Sequence, residues 1–464
     1  MFLWHLERGW AFYSKRVLWE MLRQRYKGDF AALLKDFVPA PGFDSFEKLK
    51  EAGAALKLRP GGQGIKAVNQ FTYLIARRYY ELVFRAMRKA APGALVVGDR
   101  LPLYYCQDAV LAQRGLVDVL STNYNVDAPD GWVAPYYFEG LRDLIAAPIL
   151  ISEYFFAADD NRSGNVNNGH LMHVATQPER ARGATAALRN FAGFPNVAGV
   201  HWFQFADEPT GGRSDGEDFN MGLVDIHDQP YELLTQAFAE LTPRIPDIHA
   251  ASRWEPKPDP ALAPVLPRAG AAKSVTDGSI LDWPDKRVSR LRGFATPKPY
   301  APFGDVHLAW DQRGLYFMNI AGNYVDLSLL DWQGEFPLSE TYQIHITADA
   351  GAGPRHFAVH LAPRPHSVWP GRFELAPQLW EYQGGRPVRQ LEAKGLVQAL
   401  DKPLPHIQVE GLIPATELGV PALTPGQRVA LSVSVTNFYG ELTMTWASRD
   451  AVLGQATDNA GATQ

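Results

Sequence analysis

Cysteine is almost missing from this sequence: Cys106 stands alone among 464 residues. An internal disulfide framework and a cysteine-built metal site are thereby excluded. No apolar run approaches the ~20 residues a bilayer-spanning helix needs. The 45 Lys and Arg are outnumbered by 50 Asp and Glu, for a net charge of −5, and no basic stripe follows any segment, so a nucleic-acid partner is not expected. No glycine-rich loop follows an apolar strand, which removes the usual phosphate cradle. The opening Met1–Arg8 lacks the basic start and apolar stretch of a secretory leader, and its abrupt amphipathic character fits a chain whose beginning lies further upstream. Localisation therefore stays open. Aromatic residues, by contrast, are plentiful, with 12 Trp and 18 Tyr. Flat faces of this kind serve packed cores and sugar-binding surfaces alike.

The pattern along the chain changes twice. Apolar residues at helical spacing predict one long helix over 10–36 and a second over 68–90. Four short apolar runs then predict strands: Leu95–Gly98, Val117–Ser121, Pro148–Ser152 and Val197–Val200. Helical stretches follow over 107–114, 137–146, 178–193 (with Thr176 as N-cap) and 231–241. Fully apolar strands alternating with helices are buried parallel strands, and each run here delivers polar residues at its C-terminal end. That is the layout of a (β/α)8 barrel. Only four such units are present, and no convincing strand precedes Leu95. The fold expected is α/β plus all-β: the second half of a (β/α)8 TIM barrel over 1–250, a Pro/Ala-rich linker over 251–272, and an antiparallel β-sandwich over 273–464.

Chemistry concentrates at two strand tips, Ile151-Ser152-Glu153-Tyr154 and His201-Trp202-Phe203-Gln204. A carboxylate at the end of a buried strand is costly unless it is hydrogen-bonded or employed. A salt bridge from Glu153 to a loop arginine is the plain structural reading. The neighbouring tips, however, also carry sugar-compatible groups: Asn123, Tyr124, Trp202 and Gln204. Asp99 and Arg100 read as a structural ion pair or a distal subsite. His170 and His173 read as subsite lining, since a lone pair three apart is a poor zinc signal.

Residues 70–245 resemble the clan-A glycoside hydrolases, most closely β-agarases. The resemblance rests on Ile-Ser-Glu-Tyr-Phe-Phe at 151–156, His-Trp-Phe-Gln-Phe-Ala-Asp-Glu-Pro at 201–209, Arg213, and the run Asp215–Asp225. It implies a retaining mechanism with Glu153 as nucleophile, Tyr124 as its hydrogen-bonding partner and Trp202 as the floor of the cleaved sugar's subsite. His201, Gln204, Asn123, Asp207, Glu208 and Arg213 would contact substrate, with Asp207 and Glu208 alternatively bracing the Arg213 loop. The family's acid/base glutamate, in an Asn-Glu pair, has no counterpart here; Glu7, Asp207 and Glu208 are the substitutes to consider.

In the last third, Asp277–Pro284 and Gly304–Asp311 resemble family-nine-type carbohydrate-binding sandwiches, which implies aromatic sugar clamps and, in some members, calcium. Trp283 and Trp310 lie in strand patterns and suit a core. Trp332, Trp369 and Trp380 lie nearer loops and suit clamps. The expectation is therefore an agarase-like retaining hydrolase of a galactose-containing polysaccharide. It needs no cofactor and has an oligo- or polysaccharide as its partner. A non-catalytic carbohydrate-binding protein and a β-galactosidase-like enzyme are the alternatives.

Overall fold

The computed structural model describes residues 1–101, 106–126, 128–167, 171–254, 265–269, 291, 304–321, 326–330, 336–369, 373–391, 397–400, 407–440 and 443–454. The chain opens with helices α1 (Phe2–Leu6), α2 (Tyr13–Arg25) and α3 (Phe30–Leu33). An antiparallel pair follows, β1 (Phe37–Pro39) and β2 (Leu56–Leu58), and then α4 (Gly64–Ala90). The single helix expected over 10–36 is thus two. Lys27 and Gly28 take positive φ of 54° and 74°, and the Gly28 N–H returns to the Arg23 carbonyl at 2.8 Å. This left-handed turn ends α2. The Asp29 carboxylate then accepts the Ala31 N–H at 2.9 Å and starts α3. β1 and β2 went unseen because three residues apiece show no readable alternation.

The middle of the chain alternates. It runs α5 (Gln107–Leu111), β3 (Leu120–Asn123), α6 (Pro135–Ile145), β4 (Ile149–Tyr154), the small parallel pair β5 (Ala157–Ala158) and β6 (His173–Val174), α7 (Gln177–Ala192), β7 (Val197–Trp202), α8 (Glu232–Leu241) and α9 (Ile245–Ala250). β3, β4 and β7 lie side by side, all parallel. Ile149, Ile151 and Val197 bury one side of this sheet against Phe138, Leu141, Ala184 and Phe191 of the helices. Residues 95–101 run alongside β3, hydrogen-bonded to it through Val96, Gly98 and Leu101, but the pairing amounts to two isolated parallel bridges, Val97–Val119 and Leu101–Thr122. The strand expected at Leu95–Gly98 is therefore not a continuous ladder, because Asp99 and Arg100 turn away to partners of their own. α7 begins as expected: the Thr176 hydroxyl accepts the Glu179 N–H at 3.4 Å, and the Glu179 carboxylate accepts the Thr176 N–H at 3.0 Å.

Beyond residue 264 the described structure is β. β8 (Val265–Leu266), β9 (Gly304–Asp311), β10 (Gly314–Ala321), β11 (Tyr342–Asp349), β12 (Arg355–Pro365), β13 (Phe373–Gln383), β14 (Arg386–Leu391), β15 (Val397–Leu400), β16 (Ile407–Pro414), β17 (Arg428–Thr436) and β18 (Thr443–Leu453) form two sheets. One has the order β15-β16-β10-β9, the other β14-β13-β12-β11-β17-β18-β8. Every pair is antiparallel except β18 with β8. Both sheets turn apolar side chains into one core, which includes Trp310, Phe317, Tyr342, Phe357 and Trp446. Trp310 is core, as its strand position implied, with its indole N–H on the Leu266 carbonyl at 3.1 Å. Trp283 and Trp332 lie outside the described residues.

That core also takes in Phe2, Leu18, Phe37, Leu56 and Phe71. The first ~70 residues therefore pack on the C-terminal sheets and not on the parallel strands. Polar contacts reinforce the join: the Gly61 N–H donates to Glu340 at 2.5 Å, and Lys57 bonds the Ser328 carbonyl. Glu7 follows α1 within this assembly. Among the described residues, no helix is long and apolar enough to cross a membrane.

Two stability tests follow from this packing. Thr176→Ala removes the capping box of α7 and should lower the unfolding free energy by about 1 kcal/mol, read as a shifted denaturant midpoint with unchanged slope. Burial depresses His345 and His360 to about 4, below the ~6.5 of an unfolded chain. Between those values the unfolded chain binds the more protons. This contribution to stability is whole above pH ~6.5 and is lost as pH falls towards 4. A His345→Gln/His360→Gln double variant should show a flatter decline than wild type in denaturant titrations over this range.

Candidate active site

Ile149, Ile151 and Tyr154 of β4 face the helices. A register irregularity between Ile151 and Tyr154 turns Glu153 the other way, at the C-terminal end of the parallel strands. Its side chain is only 15% exposed and forms an ion pair with Arg100. The Asn123 side chain, on the neighbouring strand tip, hydrogen-bonds it as well, and the Ser152 hydroxyl donates to Asn123 Oδ1 at 3.2 Å. Burial pushes the Glu153 carboxyl above the usual carboxylate range. Arg100 opposes that, Glu217 adds to it, and Asn123 and Arg213 oppose it in turn. The site thus combines a dehydrated carboxylate with a cation, an amide and a second carboxylate nearby.

Tyr124 is not the side-chain partner of Glu153. Its backbone N–H donates to the Glu153 carbonyl at 2.9 Å, but its ring is buried among Tyr137, Phe138 and Phe191. The Ala134 N–H donates to its hydroxyl at 2.7 Å. Successive residues of a strand face opposite sides, so Asn123, one position earlier, takes the side towards Glu153.

Trp202 faces the helices for the same reason. Its ring meets Tyr154 at 5.2 Å and Phe238 of α8 at 5.1 Å, and its N–H donates to the Met221 carbonyl at 2.9 Å. It packs, partly buried, on the helix side, where a sugar floor was not expected. His201, the residue before it, is exposed. Phe205, 68% exposed just beyond the strand, is an aromatic face the sequence reading passed over.

Asp207 is a structural hub, not a substrate contact. Buried, it accepts from Ser163 (2.6 Å), Tyr231 (2.6 Å), the Gly222 N–H (2.7 Å) and the Asn220 amide (2.7 and 2.8 Å). Glu208 braces the next turn: it accepts the Phe219 N–H at 2.6 Å and Arg213 at 3.3 Å, and burial raises its carboxyl. Arg213 also holds Glu217 at 2.8 Å and pairs with Asp215. Gln204 fixes this loop through its backbone, donating to Met221 and accepting from Leu223.

Asp99 and Arg100 do not pair with each other, as Asp99 accepts the hydroxyls of Tyr79 and Tyr80 at 3.3 and 3.1 Å. His173 bonds Asp159 at 2.8 Å, and His170 lies outside the described residues. Among the described residues, no three His, Cys, Asp or Glu side chains gather to hold a metal. Arg100, read from sequence as a structural ion pair with Asp99 or a distal subsite, pairs with Glu153 instead, and Glu217 was given no role. Arg100 carried a signal related to that of Glu153, a charge two residues past an apolar run where Glu153 follows its run directly. Glu217 carried none.

No family model matches the sequence. The similarity found is to glycoside hydrolases, and within them to β-agarases. β-Agarase A of Vibrio sp. (strain JT0107) is 31% identical over 228 residues, 48% of this chain and 22% of that protein. β-Agarase B of the same strain is 31% identical over 166 residues, 35% of this chain and 17% of that protein. The chain spans roughly a fifth of the length of these curated relatives. Solved structures match as well, two of them agarases. A structure of an exo-β-agarase is 25% identical with a TM-score of 0.46, covering 53% of this chain and 32% of that one. A structure of an agarase is 26% identical with the same TM-score, covering 53% and 34%.

Arg100→Ala removes the cation bonded to Glu153 while burial and Glu217 remain. The Glu153 carboxyl should then titrate at a higher pH than in wild type, by NMR of labelled glutamate side chains. An unchanged or lower titration point would show that Arg100 does not set the charge of Glu153.

Proposed function

We propose that this chain carries the nucleophile-bearing part of an agarase-like glycoside hydrolase, one that cleaves O-glycosidic bonds of a galactose-containing polysaccharide with retention. In this reading the parallel strands are the second half of a (β/α)8 barrel, and the C-terminal sheets are a carbohydrate-binding β-sandwich. One observation carries the reading: Glu153 is a buried carboxylate at the C-terminal tip of a parallel strand, held by Arg100 and Asn123, in a chain similar to β-agarases.

In the reaction the ionised Glu153 attacks the anomeric carbon and a covalent glycosyl ester forms. A carboxylic acid about 5–5.5 Å away protonates the departing oxygen, then takes a proton from the water that opens the ester. Arg100 and Asn123 orient the nucleophile and favour its charged form, while burial strips it of water. Glu217 is bonded to Arg213, and a carboxylate committed to a guanidinium is a poor proton donor. This reading therefore assigns the acid to none of the described residues. His201 and Phe205 offer an imidazole and an apolar face for the sugar, in place of Trp202. A second reading, polysaccharide binding without turnover, is favoured by the Arg100–Glu153 ion pair, which occupies the carboxylate an attack would need.

The test is mechanism-based trapping. A 2-fluoro-glycoside of an agarose-derived disaccharide should esterify Glu153, located by peptide mapping. Glu153→Gln should abolish both labelling and the release of reducing ends from agarose, without loss of folding. Labelling of another carboxylate would sink the assignment. Retention on agarose with neither labelling nor turnover would favour the binding reading.

A further inference from the structure

Inward residues of the seven-stranded sheet fill the shared core, so strand alternation turns the intervening residues to its other face. The register aligns these in rows. One row runs Thr445, Ser434, His345, Ala358, Trp380 and Gln390 across β18, β17, β11, β12, β13 and β14. A second runs Thr443, Thr436, Gln343, His360 and Gln378, and a third Ser432, Thr347, His356 and Tyr382. Six strands at ordinary spacing make the first row about 24 Å long. Most of these side chains remain partly exposed, Ala358 and His360 are buried, and Thr445 and Gln390 at the two ends are exposed.

The composition of this face is unusual for a solvated sheet. It has no Asp, Glu, Lys or Arg in these three rows. Charges sit at its ends, in the Arg364–Glu374 pair (2.9 Å) and the Arg428–Asp450 pair (3.8 Å). In the middle are three imidazoles, an indole and a phenol. They are tied to one another: His345 bonds His356 at 3.2 Å and Gln343 at 2.8 Å, and His360 bonds Thr341 and Tyr382 at 2.8 Å each. The Trp380 indole N–H donates to Gln378 at 3.0 Å. The ring nitrogens of His345 and His360 are thus spent on different neighbours and do not converge, which argues against a metal. Burial holds all three imidazoles below their ordinary range, so the face is uncharged at neutral pH.

We propose that this face is a binding surface for a neutral polysaccharide chain, with Trp380 and Tyr382 as stacking planes and His356 and the partly exposed Gln, Ser and Thr groups as hydrogen-bond partners for sugar hydroxyls. The match is one of charge and shape. A long uncharged strip, rich in paired donors and acceptors and in fixed aromatic rings, suits an uncharged polyhydroxylated chain better than a charged or purely apolar partner. The exposed Trp369, in the segment joining β12 to β13, extends the aromatic surface at the Arg364 end. The surface itself follows from the sheet alone; only the choice of a galactan rests on the proposed function.

The experiment is hydroxyl-radical footprinting of the full chain, with mass-spectrometric readout, in the presence of an agarose-derived hexasaccharide or a β-1,4-glucan hexasaccharide. Trp380, Tyr382, His345 and His356 should be protected several-fold by the agarose hexasaccharide, in wild type and in Glu153→Gln alike. In parallel, Trp380→Ala should lower retention on agarose beads at least tenfold with an unchanged thermal transition. Protection by the glucan alone would keep the surface and overturn the galactan reading. Protection confined to residues around Glu153, or none on this sheet with either sugar, would overturn the surface, whatever the fate of the variant.

Discussion

The buried carboxylate of Asp207 organises the end of the parallel sheet. Its oxygens draw in Ser163 from the segment after β4, Asn220 and Gly222 from the loop after β7, and Tyr231 at the start of α8. A carboxylate removed from water needs that many donors, and once it has them the chain segments that supply them are fixed relative to one another. The turn carrying Glu208, Arg213 and Glu217 hangs from this hub. Arg180 of α7 closes the arrangement from behind, donating to the Phe156 and Gly222 carbonyls at 2.6 and 2.7 Å. The charges around Glu153 are therefore held by a polar interior that need not touch a substrate.

The sequence made the alternation of strands and helices legible because buried parallel strands are short and wholly apolar, and because Thr176 and Glu179 spell out a helix start. Glu153 was legible for the same reason: it is the charge that ends such a run. Facing was not. Asn123 and Tyr124 are adjacent, as are His201 and Trp202; Asn123 turns to Glu153 and His201 to solvent, while their aromatic neighbours turn to the helices. Family likeness favoured the aromatic member of each pair, and packing took both aromatics into the helix-side core. A salt bridge from Glu153 to a loop arginine was a legible possibility, but not that the arginine is Arg100, because the two are 53 residues apart and no local pattern announces a contact of that kind.

The destination of the first ~70 residues was also hidden. Their amphipathic helices advertise an apolar face but not which surface will cover it. The sheets beyond residue 300 supply that surface, so the beginning and end of the chain share one interior, and the parallel strands between them have their own.

α4 joins these two interiors. Ala67 and Phe71 in its first half belong to the core shared with the sheets, while Tyr80 further along packs against Ala112 and Leu116 beside the parallel strands. At 27 residues it is about 40 Å of continuous helix. The polypeptide therefore crosses between the two bodies twice, once along this strut and once through the proline-rich stretch after Trp254. Severing the second crossing would leave a nicked but unseparated molecule, tethered by a rigid element and by the embrace of its own termini. The proline-rich stretch therefore does not link two independent modules. It closes a loop on a chain already joined.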